Sequence, residues 1–299
     1  MKKILITGGT GFIGYHLSKR CLKMRWKVTS ISSRKPKKIR KLRNVNYIVC
    51  DLTKKKEIKK KINKYYDFIV NLSGHVNHNN KSKTFKSHFS SVQYLVSNFK
   101  NNKPKILIQM GSSAEYGGLT KPQKEKANCH PKSFYGKAKL KTTKYLIKQF
   151  KEDKFPVTIL RLYQAYGPYQ DINRLIPIVI SACKKNIKFN CSDGNQFRDF
   201  IYIDDIIDAI LKCLQNKKAV GKIYNLGSGQ PKQIKNIISK ISNYYSGGKP
   251  QYGKIKLRKD ESKIIYANIN KIKNELKWKP KTSFDYGMKK TFIYYDKKN

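Results

Sequence analysis

The 299-residue sequence predicts an α/β fold: a doubly wound parallel sheet with a smaller C-terminal α/β lobe. Three observations carry this expectation. A short apolar strand at Lys3–Thr7 runs directly into Gly8-Gly9-Thr10-Gly11-Phe12-Ile13-Gly14, and a helical pattern begins at Tyr15. Strands rich in β-branched residues then alternate with helical stretches, which builds a parallel sheet covered on both faces. The length suffices for a nucleotide-binding domain and a further lobe.

The glycine turn is the first element. Gly9, Gly11 and Gly14 satisfy the G-x-G-x-x-G spacing, and Gly8, Gly11 and Gly14 satisfy its wider version. The chain must turn tightly off the strand, let its backbone approach a pyrophosphate, and open a helix whose free N–H groups attract the anion. Gly8, Gly11, Phe12, Ile13 and Gly14 are therefore predicted to line a dinucleotide, in a Rossmann-type arrangement. A second strand is predicted over 26–32, and Ser33, Arg34 and Lys35 follow it with no acid among them. An acid there would accept hydrogen bonds from both ribose hydroxyls and repel a 2′-phosphate. Hydroxyls and two cations would hold that phosphate, so NADP(H) is expected in preference to NAD(H), which remains possible.

A third strand is predicted over 45–50, followed by Asp51-Leu52, and a lysine-rich helix over 54–64. A fourth strand over 66–72 ends in Ser73-Gly74, small residues that let a cofactor pass close to the backbone. Phe85, Phe89, Val92, Leu95, Val96 and Phe99 have helical spacing, predicting a helix over 85–100. The fifth strand, 105–110, runs into Gly111-Ser112-Ser113-Ala114-Glu115-Tyr116-Gly117. Tyr135 and Lys139 follow, four residues apart and so on one helix face. A lysine close to a tyrosine hydroxyl lowers its pKa from about 10 and makes it a usable acid or base. A serine at a strand end can hydrogen-bond the reacting oxygen. A sixth strand is predicted over 155–162.

Together these stretches resemble the extended short-chain dehydrogenase/reductases, in the nucleotide-sugar branch of epimerases, dehydratases and 4-keto reductases. The likeness runs nearly end to end, through residues 7–14, 51–52, 112–117, 135–139, 161–168, 194–205, 224–229 and 276–280. It implies that Tyr135 is the general acid/base, and that Lys139 lowers its pKa and holds the nicotinamide ribose. Asp51 and Leu52 would border the cofactor. Ser113 would orient the sugar oxygen, with Ser112 the alternative because the loop before Tyr116 is a residue shorter than in many relatives. Gln164 stands where relatives carry Asn and would reach the substrate. Arg198 and Arg258 would clamp the diphosphate, guanidinium forks being suited to phosphate oxygens. Dehydratases carry an acid pair beside the catalytic Ser/Thr. Here Ala114 takes the first of those positions, and the Ser-Ser-Ala-Glu-Tyr-Gly phrase is similar to that of 4-keto-6-deoxyhexose reductases.

The resemblance thus implies an NADPH-dependent reductase of a nucleoside-diphosphate 4-keto-6-deoxy sugar; the alternative is an NAD-dependent epimerase or 4,6-dehydratase. Residues 1–168, with 200–228 returning, would bind the dinucleotide. Residues 169–199 and 229–299 would bind the nucleotide sugar. Asp204-Asp205 is expected to cap a helix running to Leu214. A homodimer paired through helices 85–100 and 135–148 is expected.

Composition narrows the partners. The net charge is +48, from 66 Lys and Arg against 18 Asp and Glu. Such a charge can mark a polyanion partner, a nucleic acid or an anionic membrane, but the lysines are spread over the whole chain and accompany many Ile, Asn and Tyr residues, so a compositional trait is expected in preference to a specific nucleic-acid site. No apolar run approaches the ~20 residues that span a membrane, and the N-terminal stretch is expected to be the strand that feeds the glycine turn and not a signal peptide. The six cysteines are scattered without a C-x-x-C pair, and the five histidines lack ligand spacing. A reducing, cytoplasmic setting without a metal site is expected.

Overall fold

The computed structural model describes residues 1–75, 80–118, 122–257 and 262–297. Its first lobe is built from β1 (Lys3–Thr7), α1 (Phe12–Lys23), β2 (Lys27–Ser32), β3 (Val45–Val49), α2 (Lys55–Lys61) and β4 (Phe68–Asn71). It continues with α3 (Lys81–Phe85), α4 (Ser91–Asn98), β5 (Ile106–Ser112), α5 (Phe134–Asp153) and β6 (Val157–Leu162). The second lobe opens with β7 (Gln164–Tyr166), α6 (Leu175–Lys184), β8 (Lys188–Asn190) and β9 (Phe197–Tyr202). The chain then crosses back through α7 (Ile203–Leu214) and β10 (Lys222–Leu226). It finishes with β11 (Pro231–Gln233), α8 (Ile234–Tyr245), β12 (Lys249–Gln251), β13 (Ile264–Ile265), α9 (Asn270–Leu276) and α10 (Phe284–Asp296).

The main sheet has seven strands in the order β10-β6-β5-β4-β1-β2-β3, all parallel. Successive residues of a strand face opposite sides. Ile4 and Ile6 accordingly pack with Leu17, Cys21 and α7, while Leu5 packs with Ile58, Val92, Leu95 and Leu146 on the other face. The strand order reverses between β1 and β4. Open parallel sheets bind their ligands beyond the carboxyl ends of the strands at such a point.

In the second lobe β9 pairs with β7, β11 and β13, and β8 pairs with β12. Gln164–Tyr166 and Phe197–Tyr202 therefore belong to the second sheet, while α7 and β10 return to the first. A single apolar cluster joins the lobes, running from Ile4 and Ile6 through Ile206 and Ile210 to Phe200, Ile238 and Phe292.

Three local expectations are corrected. The helix predicted over 85–100 starts at Lys81, and a π turn at Lys86–Ser90 divides α3 from α4. The fifth strand continues through Gly111 to Ser112, two residues beyond the predicted end. Asp204 and Asp205 do not cap α7, whose N-cap is Tyr202. The buried Asp205 carboxylate instead accepts the Lys281 and Thr282 N–H groups at 2.8 and 3.1 Å, fastening the segment that leads into α10. Among the described residues no helix is long and apolar enough to cross a membrane.

Candidate active site

The glycine turn is a cradle without room for side chains. Gly8 adopts φ +68°, and a Cβ there would lie 2.9 Å from the Leu72 carbonyl and the Ser73 nitrogen. A Cβ on Gly14 would lie 2.5 Å from Gly8 O and from the Gly9 Cα. β1, β4 and α1 thus converge on bare backbone. Gly11 is the N-cap of α1, supplies no side-chain cap, and is followed by no acid in the first turn. The leading N–H groups of a helix are partial positive charges that favour an anion. Phe12 and Ile13 begin that helix. The cradle therefore fits the pyrophosphate of a dinucleotide.

The other residues predicted for the cofactor gather around the same strand ends. Ser33, Arg34 and Lys35 are exposed immediately after β2. Asp51 turns the chain after β3 by accepting the Thr53 N–H and hydroxyl at 2.9 and 2.8 Å, and Leu52 is buried behind it. The Ser73 hydroxyl donates to Asn71 Oδ1 at 2.6 Å. Gly74 lies so close to the His88 ring that a Cβ would meet it at 2.1 Å.

A second cluster forms where β5 meets α5. Ser112 closes the strand and caps a 3-10 turn, Ser113–Glu115: its hydroxyl accepts the Ala114 N–H at 3.2 Å, and Glu115 accepts the Ser112 N–H at 2.9 Å. The Glu115 carboxylate is fully buried and also holds Arg161 Nε at 2.9 Å and the Thr143 hydroxyl at 2.8 Å. Glu115 therefore builds the turn from beneath. Ser133 caps α5, and Gly136 lets the helix approach so closely that a Cβ would lie 2.5 Å from Ala114 O. This approach brings Tyr135 over the turn.

Tyr135 is hydrogen-bonded to the Ser112 side chain, and its ring meets His88 edge-on at 5.0 Å. Lys139 is 5% exposed; its Nζ donates to Met110 O at 2.7 Å and lies 5.9 Å from the Tyr135 ring centroid. Burial lowers the Lys139 pKa to about 8, with the Glu115 charge acting the other way. Burial raises Tyr135 above its ordinary value, partly offset by the Ser112 hydrogen bond and the Arg174 charge. The expected lowering of Tyr135 by Lys139 is thus not what this structure shows. Desolvation dominates, and the ammonium is directed to a backbone carbonyl. Of the two serines, Ser112 is the one bonded to Tyr135, and Ser113 begins the following turn.

The second lobe holds a cavity of 370 Å³ lined by Gln164, Arg174, Phe189, Asn190, Gln196 and Arg198, among others. Arg198 is buried and donates Nη1 to the carbonyls of Phe197 and Lys263 at 2.7 and 3.2 Å. Gln164 and Arg198 both line this cavity, whereas Arg258 lies outside the described residues. A wider groove of 670 Å³ on the far side of α5 is lined by neither Tyr135 nor Lys139. Sequence reasoning missed His88, Gly136 and Arg174. Only Gly136 had a visible signal, a glycine set inside an otherwise strong helix former.

A doubly wound sheet that presents a glycine cradle and a Tyr–Lys pair along one edge is the arrangement of a dinucleotide-dependent α/β enzyme. The chain belongs to the NAD dependent epimerase/dehydratase family, whose model matches residues 4–227. It is 35% identical to CDP-abequose synthase of Salmonella typhimurium over 133 residues, which cover 42% of this chain and 44% of that protein. It is 27% identical to dTDP-D-glucose 4,6-dehydratase of Dictyostelium discoideum over 276 residues, 81% of this chain and 62% of that one. The chain thus spans less than two thirds of either relative's length. UDP-glucuronic acid 4-epimerase of Bacillus cereus, solved with UDP-glucuronic acid and NAD, superposes with a TM-score of 0.88 at 25% identity. That match covers 99% of this chain and 100% of the epimerase.

Proposed function

We propose that this protein is a cytoplasmic, NADPH-dependent reductase of a nucleoside-diphosphate 4-keto-6-deoxy sugar. The observation that carries the reading is the end of β2. Ser33, Arg34 and Lys35 are exposed there, and no Asp or Glu occurs between Ser33 and Cys50. A 2′-phosphate finds two cations and a hydroxyl and meets no repelling carboxylate. A phosphorylated dinucleotide suits a consumed reductant, whereas an epimerase retains and recycles its NAD⁺. The serine turn agrees: Ala114 replaces the first acid of the dehydratase pair, and Glu115 is committed to Arg161.

Gly8, Gly11, Phe12, Ile13 and Gly14 would hold the pyrophosphate, with Asp51, Leu52, Ser73 and Gly74 bordering the cofactor. The nicotinamide, when bound, supplies the hydride. Tyr135 delivers its proton to the ketone oxygen, and Ser112 or Ser113 holds that oxygen by a hydrogen bond. Lys139, whose Nζ donates to Met110 O, would hold the ribose. Arg198 grips the diphosphate, with Arg258 as its expected companion, and Gln164 reaches the sugar. In this reading residues 1–163 with 203–228 form the dinucleotide-binding unit, and 164–202 with 229–299 form the sugar-nucleotide lobe, the boundaries moved so that β7 and β9 fall with the second sheet. The chain pairs as a homodimer through helices 85–100 and 135–148. Supporting this, Phe85 is 40% exposed on that face, with Lys141 Nζ 5.0 Å from its ring centroid. The likeness to the Bacillus cereus epimerase favours an NAD-dependent epimerase as the second reading.

The cation site is tested by the double variant Arg34→Ala/Lys35→Ala. Its Kd for NADP⁺ is expected to rise about tenfold or more through loss of charge-assisted phosphate contacts, with that for NAD⁺ little changed. Equal weakening of both, or of neither, would remove these residues from cofactor selection.

A further inference from the structure

Between β7 and α6 the chain runs through Pro168, Tyr169 and Asp171 to Arg174, the N-cap residue of α6. Tyr169 sits at φ +66°, a conformation that a tyrosine keeps only where its surroundings hold it. The surroundings come largely from the first lobe. From α1, His16 Nε2 donates to Pro168 O at 2.9 Å, and the Tyr15 ring packs on Tyr169 at 4.7 Å between centroids. From the stretch after β2, Arg40 donates Nε to Tyr169 O at 3.1 Å and Nη2 to the Asp171 carboxylate at 2.9 Å. Arg40 is 5% exposed, in a lysine- and arginine-rich stretch whose cations otherwise lie on the surface. The Asp171 carbonyl then accepts the Arg174 N–H at 3.2 Å, and Arg174 lines the cavity with Gln164 and Arg198. A carbonyl and a carboxylate side by side suit the guanidinium fork, which an ammonium does not reproduce.

We propose that Arg40 is a positioning residue. It fastens the 168–171 loop to the first lobe and thereby aims Arg174 at the cavity, where Arg174 acts beside Arg198 as a second cation for the ligand's diphosphate. This rests on the reading of that cavity as the diphosphate site. Tyr294 of α10 also packs on Tyr169, at 4.4 Å between ring centroids, but the hydrogen bonds to Pro168, Tyr169 and Asp171 come from α1 and from the chain beyond β2, the same elements that carry the cofactor cradle and the Ser33–Lys35 cations. Loop position and the grip on the anion are thereby tied to the dinucleotide side of the molecule. Arg174 is also the cation of the second lobe whose charge is felt at Tyr135.

The test is calorimetry on the full chain with UDP and CDP, carrying forward the tighter of the two. Arg174→Ala is expected to raise its Kd about tenfold, the loss of one charge-assisted contact. Arg40→Gln and Asp171→Asn should each raise it about threefold to tenfold. The double variant Arg40→Gln/Arg174→Ala should bind no worse than Arg174→Ala alone, because the effect of Arg40 runs through Arg174. Asp171 is 44% exposed, so Asp171→Asn decides the matter if Arg40→Gln does not fold. Wild-type affinity in Asp171→Asn, or a double variant whose loss is the product of the single losses, overturns the positioning role alone. A wild-type protein that binds neither diphosphate overturns the reading of the cavity and the proposal with it.

Discussion

Replacing Tyr135 with Phe is expected to lower kcat by roughly 10²–10⁴-fold, the usual worth of a positioned acid or base, while cofactor and nucleotide-sugar affinities stay within about threefold. The change removes one hydroxyl. The ring keeps its edge contact with His88, and Gly136 still lets α5 approach the serine turn. The loss should therefore fall on the chemical step and not on binding. The same variant separates the two serines. If Ser112 works through Tyr135, Ser112→Ala costs little more in a Tyr135→Phe background, since residues acting as a unit are not additive. Stopped-flow turnover with direct binding measurements checks both statements. Undiminished kcat in Tyr135→Phe would place the proton donor elsewhere.

Replacing Glu115 with Ala is expected to destabilise the fold by about 3–5 kcal/mol, because it strands a buried guanidinium. Arg161 sits in the interior with its Nε on the Glu115 carboxylate, and the same carboxylate holds the Thr143 hydroxyl and the Ser112 N–H. A melting-temperature drop on the order of 10 °C follows for a chain of this size. Arg161→Met/Glu115→Leu, which removes both charges together, should recover much of that loss. The outcome also bears on chemistry. A variant that melted like wild type yet lost all turnover would mark Glu115 as an acid acting on substrate, and would reopen the dehydratase reading that Ala114 argues against.

What was legible in the sequence is what local spacing encodes. The glycine turn was readable because a strand, three spaced glycines and a helix follow one another without interruption, and each glycine answers a close approach seen in the fold. Tyr135 and Lys139 were readable because an i, i+4 pair must share a helix face. The choice between Ser112 and Ser113 was not, because it depends on where β5 stops, and β5 runs two residues further than its apolar pattern. The electrostatics of the pair also escaped: spacing brings Lys139 near Tyr135, but burial is the largest influence on both groups, raising the tyrosine and lowering the lysine. Asp205 looked like a cap because it begins a helix, yet its partners lie 76 and 77 residues away. Arg40 was one cation among many until the fold set it beside Asp171, 131 residues along the chain.

The reductase assignment is tested most directly by releasing bound nucleotide from the purified protein with acid, identifying it, and titrating the stripped protein with NADP⁺ and NAD⁺. The proposed function predicts little retained nucleotide and tighter binding of NADP⁺ than of NAD⁺. Stoichiometric, tightly held NAD⁺ would contradict it and make the protein an epimerase or dehydratase that recycles its cofactor.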